Sequence, residues 1–194
     1  MSEARGRGRH SIILSGAPSQ VNAFRRVMLS DLEMVAPSYV DIRENTSSST
    51  DEYIAHRIGI IPFSQNATNQ TTALLTVRGC DAYTDAIVSD TVRPLHSTIL
   101  IARLLPGQSL DLTIHFDSGC ASTHACFMRT AAVGMRPVPP TDAAFSDDRH
   151  MITFDAVLGD EDATHCLRMA CASIRRRLLD AKASLAGSSD PVQP

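Results

Sequence analysis

A chain of 194 residues with 43% hydrophobic and 20% charged residues is ordinary globular material that can bury roughly 70% of its unfolded surface, and this composition argues against a disordered or membrane protein. No apolar run approaches the roughly 20 residues that span a bilayer as a helix. The net charge of -3 argues against sequence-independent coating of nucleic acid, which needs many lysines and arginines facing phosphates.

In chain order, Arg5, Arg7 and Arg9 alternate with glycine and read as a solubilising tail, with RNA contact as the sharper alternative. Ile12, Ile13 and Leu14, bounded by Gly16 and Pro18, predict a first strand over 10–15. Val21, Phe24, Val27, Met28, Leu32 and Val35 step by three and four, which predicts a helix between Pro18 and Pro37. Arg25, Arg26 and Asp31 fall largely off its stripe. Asp31 and Glu33 sit badly at a helix C-terminus, where the macrodipole prefers cations. Tyr39, Val40 and Ile42 predict a strand, and the polar run from Asn45 to Thr50 a loop. Ser49 and Glu52 have capping-box spacing, while Arg57, Gly59 and Pro62 supply a cation, a C-cap glycine and a stop. A helix of about two turns fits between them.

After a polar loop over 64–72, residues 73–77 predict a short strand, and 81–95 show no clear period. Residues 99–105, 110–116 and 128–135 predict strands separated by Pro106-Gly107 and the loop around Gly119. The proline-rich stretch 137–149 reads as a connection, and 151–158 as a further strand. The closing helix starts near Asp160, Glu161 and Asp162, whose charges suit an N-terminus. Its stripe is Ala163, Leu167, Ala170, Ile174, Leu178, Ala181 and Leu185, with Arg168, Arg175, Arg176 and Lys182 mostly elsewhere; Gly187 and Pro191 end it.

Chemistry is sparse along this pattern. Five cysteines, an odd number without a signal-peptide pattern, fit a reducing compartment. The sequons at Asn45, Asn66 and Asn69 therefore read as unmodified. His124, Cys126 and Cys120 form only a loose cluster, without the paired C-x-x-C spacing of a structural zinc site, so a loop role is favoured over a metal or a nucleophile. Cys166 and Cys171 are about 140° apart around a helix, do not converge as ligands and read as packing residues. His56 and Arg57 read as hydrogen-bonding residues rather than an acid-base pair. Phosphate-cradling glycine motifs and a tight carboxylate cluster for magnesium are both missing from the sequence.

Two blocks carry a family resemblance. The run N-A-F-R-R-V-M-L-S from Asn22, the loop N-T-S, and D-E-Y-I-A-H-R-I-G-I-I-P-F from Asp51 resemble the third-largest, alpha-like subunit of eukaryotic and archaeal DNA-directed RNA polymerases. Bacterial alpha, in its N-terminal domain, is the counterpart of that chain. Ile99 to Leu104, Gly107 to Leu112, Gly119 and His124-Ala125 are similar to strands and a glycine-containing loop of the same family's insert domain. The blocks cover roughly residues 12–186, with a poor match over 64–95 and 138–150.

The resemblance implies an α+β fold: a discontinuous dimerisation domain, strands plus two long helices, over 1–36 and 139–194, interrupted by a β-rich insert domain over 37–138. It implies a non-catalytic assembly subunit that pairs with a smaller alpha-like subunit and seats the two large catalytic subunits. DNA is then met only indirectly, and no membrane is involved. Partner contacts are expected from Phe24, Arg25, Arg26, Met28, Leu167, Ala170, Ile174, Leu178, Ala181 and Leu185. The family motif falls on Asn22, Glu52, His56, Arg57, Gly59 and Pro62. Some relatives hold zinc or an iron-sulfur cluster in the insert; only Cys80 occupies the matching region here, so neither metal nor cofactor is expected. The short insert and short tail suggest a compact, virus-encoded version, working in the nucleus or cytoplasm and carried in a virion if viral. Two rivals stand beside this reading: a homodimeric scaffold of bacterial-alpha type, and a small thiol enzyme using Cys126 and His124.

Overall fold

The computed structural model describes residues 9–64, 71–139, 148–159 and 162–187. In chain order these form β1 (His10–Ser15), α1 (Pro18–Ser30), β2 (Glu33–Asn45), α2 (Asp51–Gly59), β3 (Thr72–Arg78), β4 (Ala82–Tyr83), β5 (Ile87–Val88), β6 (Leu100–Ala102), β7 (Ser109–Cys120), β8 (Thr130–Pro137), β9 (Arg149–Ala156) and α3 (Ala163–Gly187). Helices and antiparallel sheets are mixed, which is the expected α+β class. Contacts divide the chain into two units, Met1–Leu32 with Thr130–Pro194, and Glu33–Arg129. The junctions therefore follow residues 32 and 129, where the family resemblance places them after 36 and 138.

The first unit is a three-stranded sheet, β1-β9-β8, with α1 and α3 packed on it. β1 and β9 pair antiparallel with Ile12 opposite Ile152, a contact between segments far apart in sequence. Val21, Phe24, Val27 and Met28 bury the stripe of α1, with Leu32 just past its end, in one cluster with Val133, Ile152, Phe154, Cys166 and Ala170. Full burial of an aliphatic or aromatic side chain contributes roughly 1.5–3 kcal/mol, so this stripe outweighs helix propensity in fixing α1. The Thr130 hydroxyl donates to the Met28 carbonyl at 2.6 Å, partnering a C-terminal carbonyl that the helix cannot bond itself. Asp31, just past the end of α1, is ion-paired with Arg177 of α3 and accepts the Ser30 hydroxyl at 2.6 Å. The acidic residue that suits the helix end poorly is thus met by a cation from another helix.

In the second unit a four-stranded antiparallel sheet runs β2-β7-β3-β5, beside a two-stranded β4-β6 pair. From Leu110 to Phe116 β7 alternates, sending Leu110, Leu112, Ile114 and Phe116 into a core shared with Ile54, Ile58, Phe63 and Leu75. Phe63 and Phe116 meet edge to face with ring centroids 4.9 Å apart. On the other face the Thr76 hydroxyl and the Arg43 guanidinium hydrogen-bond the Asp111 carboxylate, at 2.9 and 2.7 Å, and hold its carboxyl below the usual range.

Three local expectations need correction. The first helix stops at Ser30, and Val35 lies in β2, half-buried against the second core. Pro37 sits inside that strand because β2 is an edge, where a missing N–H costs no ladder bond, and the register shifts between Pro37 and Tyr39. Thr50, not Ser49, caps α2: its hydroxyl accepts from the Tyr53 amide at 3.4 Å. Gly59 is the last residue of α2 without a positive φ, and Ile60 takes the C-cap position. The Asn45 side chain organises the preceding loop, donating to the Ser49 carbonyl at 2.9 Å and to Asp51 at 2.7 Å while accepting from the Ser47 amide at 3.0 Å. Asp160 and Glu161, and much of the 137–149 connection, lie outside the described residues.

Candidate partner interface

α3 runs for 25 residues, longer than the core of its unit can cover. Its first half faces inward: Ala163, Cys166 and Ala170 are buried, and Leu167 and Ile174 pack half-buried against the same cluster. Ser173 is also buried, and Arg177 on the same side reaches Asp31. Beyond that ion pair the helix leaves the core. Leu178, Leu179 and Leu185 are 66%, 56% and 76% exposed, and Ala181 is exposed between them. A single leucine at the surface needs no explanation; three along two turns of one helix are a patterned apolar surface. Among the described residues no helix is long and apolar enough to cross a membrane.

The residues expected at the interface therefore separate. Leu178, Ala181 and Leu185 are exposed, Leu167 and Ile174 are half-buried, and Phe24, Met28 and Ala170 are taken up by the core of their own unit. Cys171, expected as a packing residue, is exposed, whereas Cys166 is buried and its thiol donates to Asp162 at 3.2 Å. On α1 the Arg25 Nε donates to the Asn22 side chain at 3.0 Å, and Arg26 is exposed.

The motif on α2 builds a second surface, within the second unit. Ile54 and Ile58 anchor the helix, each 0% exposed, which turns His56 and Glu52 outward. Arg57 lies over the Tyr53 ring at 5.6 Å, donates to the Tyr53 hydroxyl at 3.2 Å, and reaches the Leu100 carbonyl of β6. Its role is to tie α2 to β6, in keeping with the hydrogen-bonding reading. Pro62 ends the segment, and its carbonyl accepts the Leu95 amide at 3.0 Å. A Cβ on Gly59 would come no closer than 4.0 Å to the Pro37 carbonyl, so crowding does not enforce glycine there.

Beside α2 a cleft of about 290 Å³ is lined by Tyr39, His56, Ile60, His124, Cys126 and Phe127 among others. It brings His56 near the loop of His124 and Cys126, which spacing alone does not suggest. The chemistry there is muted: the His124 Nδ1 accepts the Cys126 amide at 3.2 Å, capping the 3-10 turn Ala125–Phe127, and burial pushes the Cys126 thiol up. A nucleophilic cysteine needs the opposite shift. Among the described residues no three His, Cys, Asp or Glu side chains group to hold a metal ion. Sequence reasoning passes over Arg177 and Arg129, and places Asn45 in a loop without seeing that its side chain organises that loop. Arg129 is buried and donates to the Glu33 carbonyl at 2.9 Å; nothing in its flanking residues signals that.

No protein-family model matches the chain. Among its curated homologues at 28–32% identity are alpha-like subunits of DNA-directed RNA polymerases, the class to which the two sequence blocks point. The mouse "DNA-directed RNA polymerases I and III subunit RPAC1" is 28% identical over 164 residues, covering 61% of this chain and 47% of the mouse protein. "DNA-directed RNA polymerase subunit Rpo3" of Pyrobaculum islandicum is 32% identical over 140 residues, covering 58% and 52%. The yeast RPAC1 of Saccharomyces cerevisiae is 28% identical over 170 residues, covering 62% and 51%. The chain spans about half the length of the curated relatives it matches.

Proposed function

We propose that this chain is a non-catalytic assembly subunit of a multisubunit DNA-directed RNA polymerase. It pairs with a smaller alpha-like subunit through the outer half of α3, and the pair seats the two large catalytic subunits inside the cell. The observation that carries this reading is the apolar run of Leu178, Leu179 and Leu185, exposed on a helix whose first half packs on its own core. Partner burial is the ordinary fate of such a surface. Arg25 and Arg26 on α1 are the candidates for a large-subunit contact, since a guanidinium makes several directed hydrogen bonds.

Purification of the tagged chain from its native source, with mass spectrometry of what accompanies it, tests the reading. A smaller alpha-like subunit and the two largest polymerase subunits are expected in equal amounts. Recovery of the chain as a homodimer, or without polymerase subunits, contradicts it.

A further inference from the structure

The charges on α3 specify what a partner helix must carry. Leu167, Cys171, Ile174, Leu178, Ala181 and Leu185 follow one another in steps of four and three, which draws one continuous seam along a helix. Leu167 and Ile174 lend part of that seam to the core of their own unit, and from Leu178 onward it is exposed. Arg168, Arg175 and Lys182 recur at seven-residue intervals, so they form a row along one flank of the seam. All three are exposed, and none makes an ion pair among the described residues. The other flank is Ala170, Arg177 and Ser184, of which Arg177 is held by Asp31. Asp180 is the sole carboxylate on a helix with five cations, in a chain whose net charge is -3.

Resting on the partner reading above, we propose that the exposed seam of α3 takes a helix from a different chain whose apolar stripe is flanked by acidic side chains, and that the basic row rejects a second copy of this chain. In a parallel pair of copies Lys182 would face Arg177, and Ala170, opposite Arg175, is buried in its own core and offers nothing; in an antiparallel pair the basic flank would face itself. Neither pairing brings a carboxylate to the row. A glutamate-bearing flank does so at each of its three positions. Exposed pairs of this kind add little raw affinity, but like charges set against each other suppress the wrong partner, and complementary ones select the right one.

Two synthetic helices of three heptads, identical in a leucine seam and carrying either glutamate or lysine along the flank, test this against the full-length chain by fluorescence anisotropy. The glutamate peptide is expected to bind at least about tenfold tighter at low salt, with the gap closing as salt screens the charges. Arg168→Glu with Arg175→Glu and Lys182→Glu should reverse the preference, and circular dichroism should show the helix retained because all three residues are exposed. Equal binding of the two peptides, no binding of either, or a self-dimer of the wild-type chain by sedimentation overturns the proposal. So does a DNA or RNA duplex that depends on the same three cations and displaces the glutamate peptide. The polymerase reading fails separately: glutamate-selective binding without polymerase subunits in the native complex removes that reading alone, whereas a complex that keeps its small subunit after the triple reversal removes this proposal alone.

Discussion

Arg177 of α3 reaches Asp31 at the end of α1, and the two side chains differ sharply in exposure, 62% against 9%. Removing the arginine leaves a nearly buried carboxylate without its cation, whereas removing the acid leaves a guanidinium that can turn to water. Arg177→Met should therefore lower stability by about 1–3 kcal/mol, and Asp31→Asn by less. Urea unfolding of both variants checks the order; equal losses contradict it.

Thr50 supplies the hydroxyl that accepts the Tyr53 amide, while the Ser49 carbonyl is engaged by Asn45. Thr50→Ala should cost about 1 kcal/mol, the usual loss of an N-cap, and Ser49→Ala only a few tenths. Thermal midpoints of the two variants decide which residue caps α2.

Gly119 lies against the ring of Phe127, where a Cβ would fall 2.7 Å from the ring carbon Cε2. Gly119→Ala must push the ring aside, at roughly 1–3 kcal/mol for overpacking. The companion Gly119→Ala/Phe127→Leu should recover part of that loss. If the single variant is as stable as wild type, the glycine is not held by this contact.

The helices and the second block were legible in the sequence because their signals are local. The three-and-four stripe of α1, the motif on α2 and the stripe of α3 are periodic over one element each, and the alternation of β7 needs only its own residues. Pro37 misled the reading of β2, since only the sheet order reveals that the strand is an edge and tolerates a proline. Ala82–Tyr83 and Ile87–Val88 are two residues each, too short to show a period. Of the site, the apolar positions on α3 were legible. What divides them into core and free surface is the place where the helix outruns its own sheet, a tertiary fact. Arg177, one of three consecutive arginines, gained its role from Asp31, far away in sequence.

Cys126 offers a pH-dependent check on the thiol-enzyme alternative. Burial, working against the amides of Cys126 and Phe127, holds its thiol above the ordinary range, so the thiolate fraction at neutral pH falls below that of an ordinary cysteine. Iodoacetamide should modify the exposed Cys80 and Cys171 faster than Cys126 at neutral pH, and Cys126 should catch up only as pH rises. Peptide mapping of the alkylated chain gives the order. Cys126 reacting first would revive the enzyme reading.

Leu178 and Leu185 lie outside the core of their unit, so aspartate at both positions should leave the isolated chain folded, whereas Ile174→Asp would also damage its half-buried packing. Each leucine buried by a partner contributes roughly 1.5–3 kcal/mol, so losing both should weaken association by at least about a hundredfold. Native mass spectrometry of the complex assembled on wild-type and Leu178→Asp/Leu185→Asp chains tests this directly, with Arg176→Asp as the surface control. The expected result is a complex with a smaller alpha-like subunit and the two large polymerase subunits for wild type and the control, and a folded monomer for the double variant. A double variant retained in the complex at wild-type strength would contradict the assignment of α3 as the assembly interface.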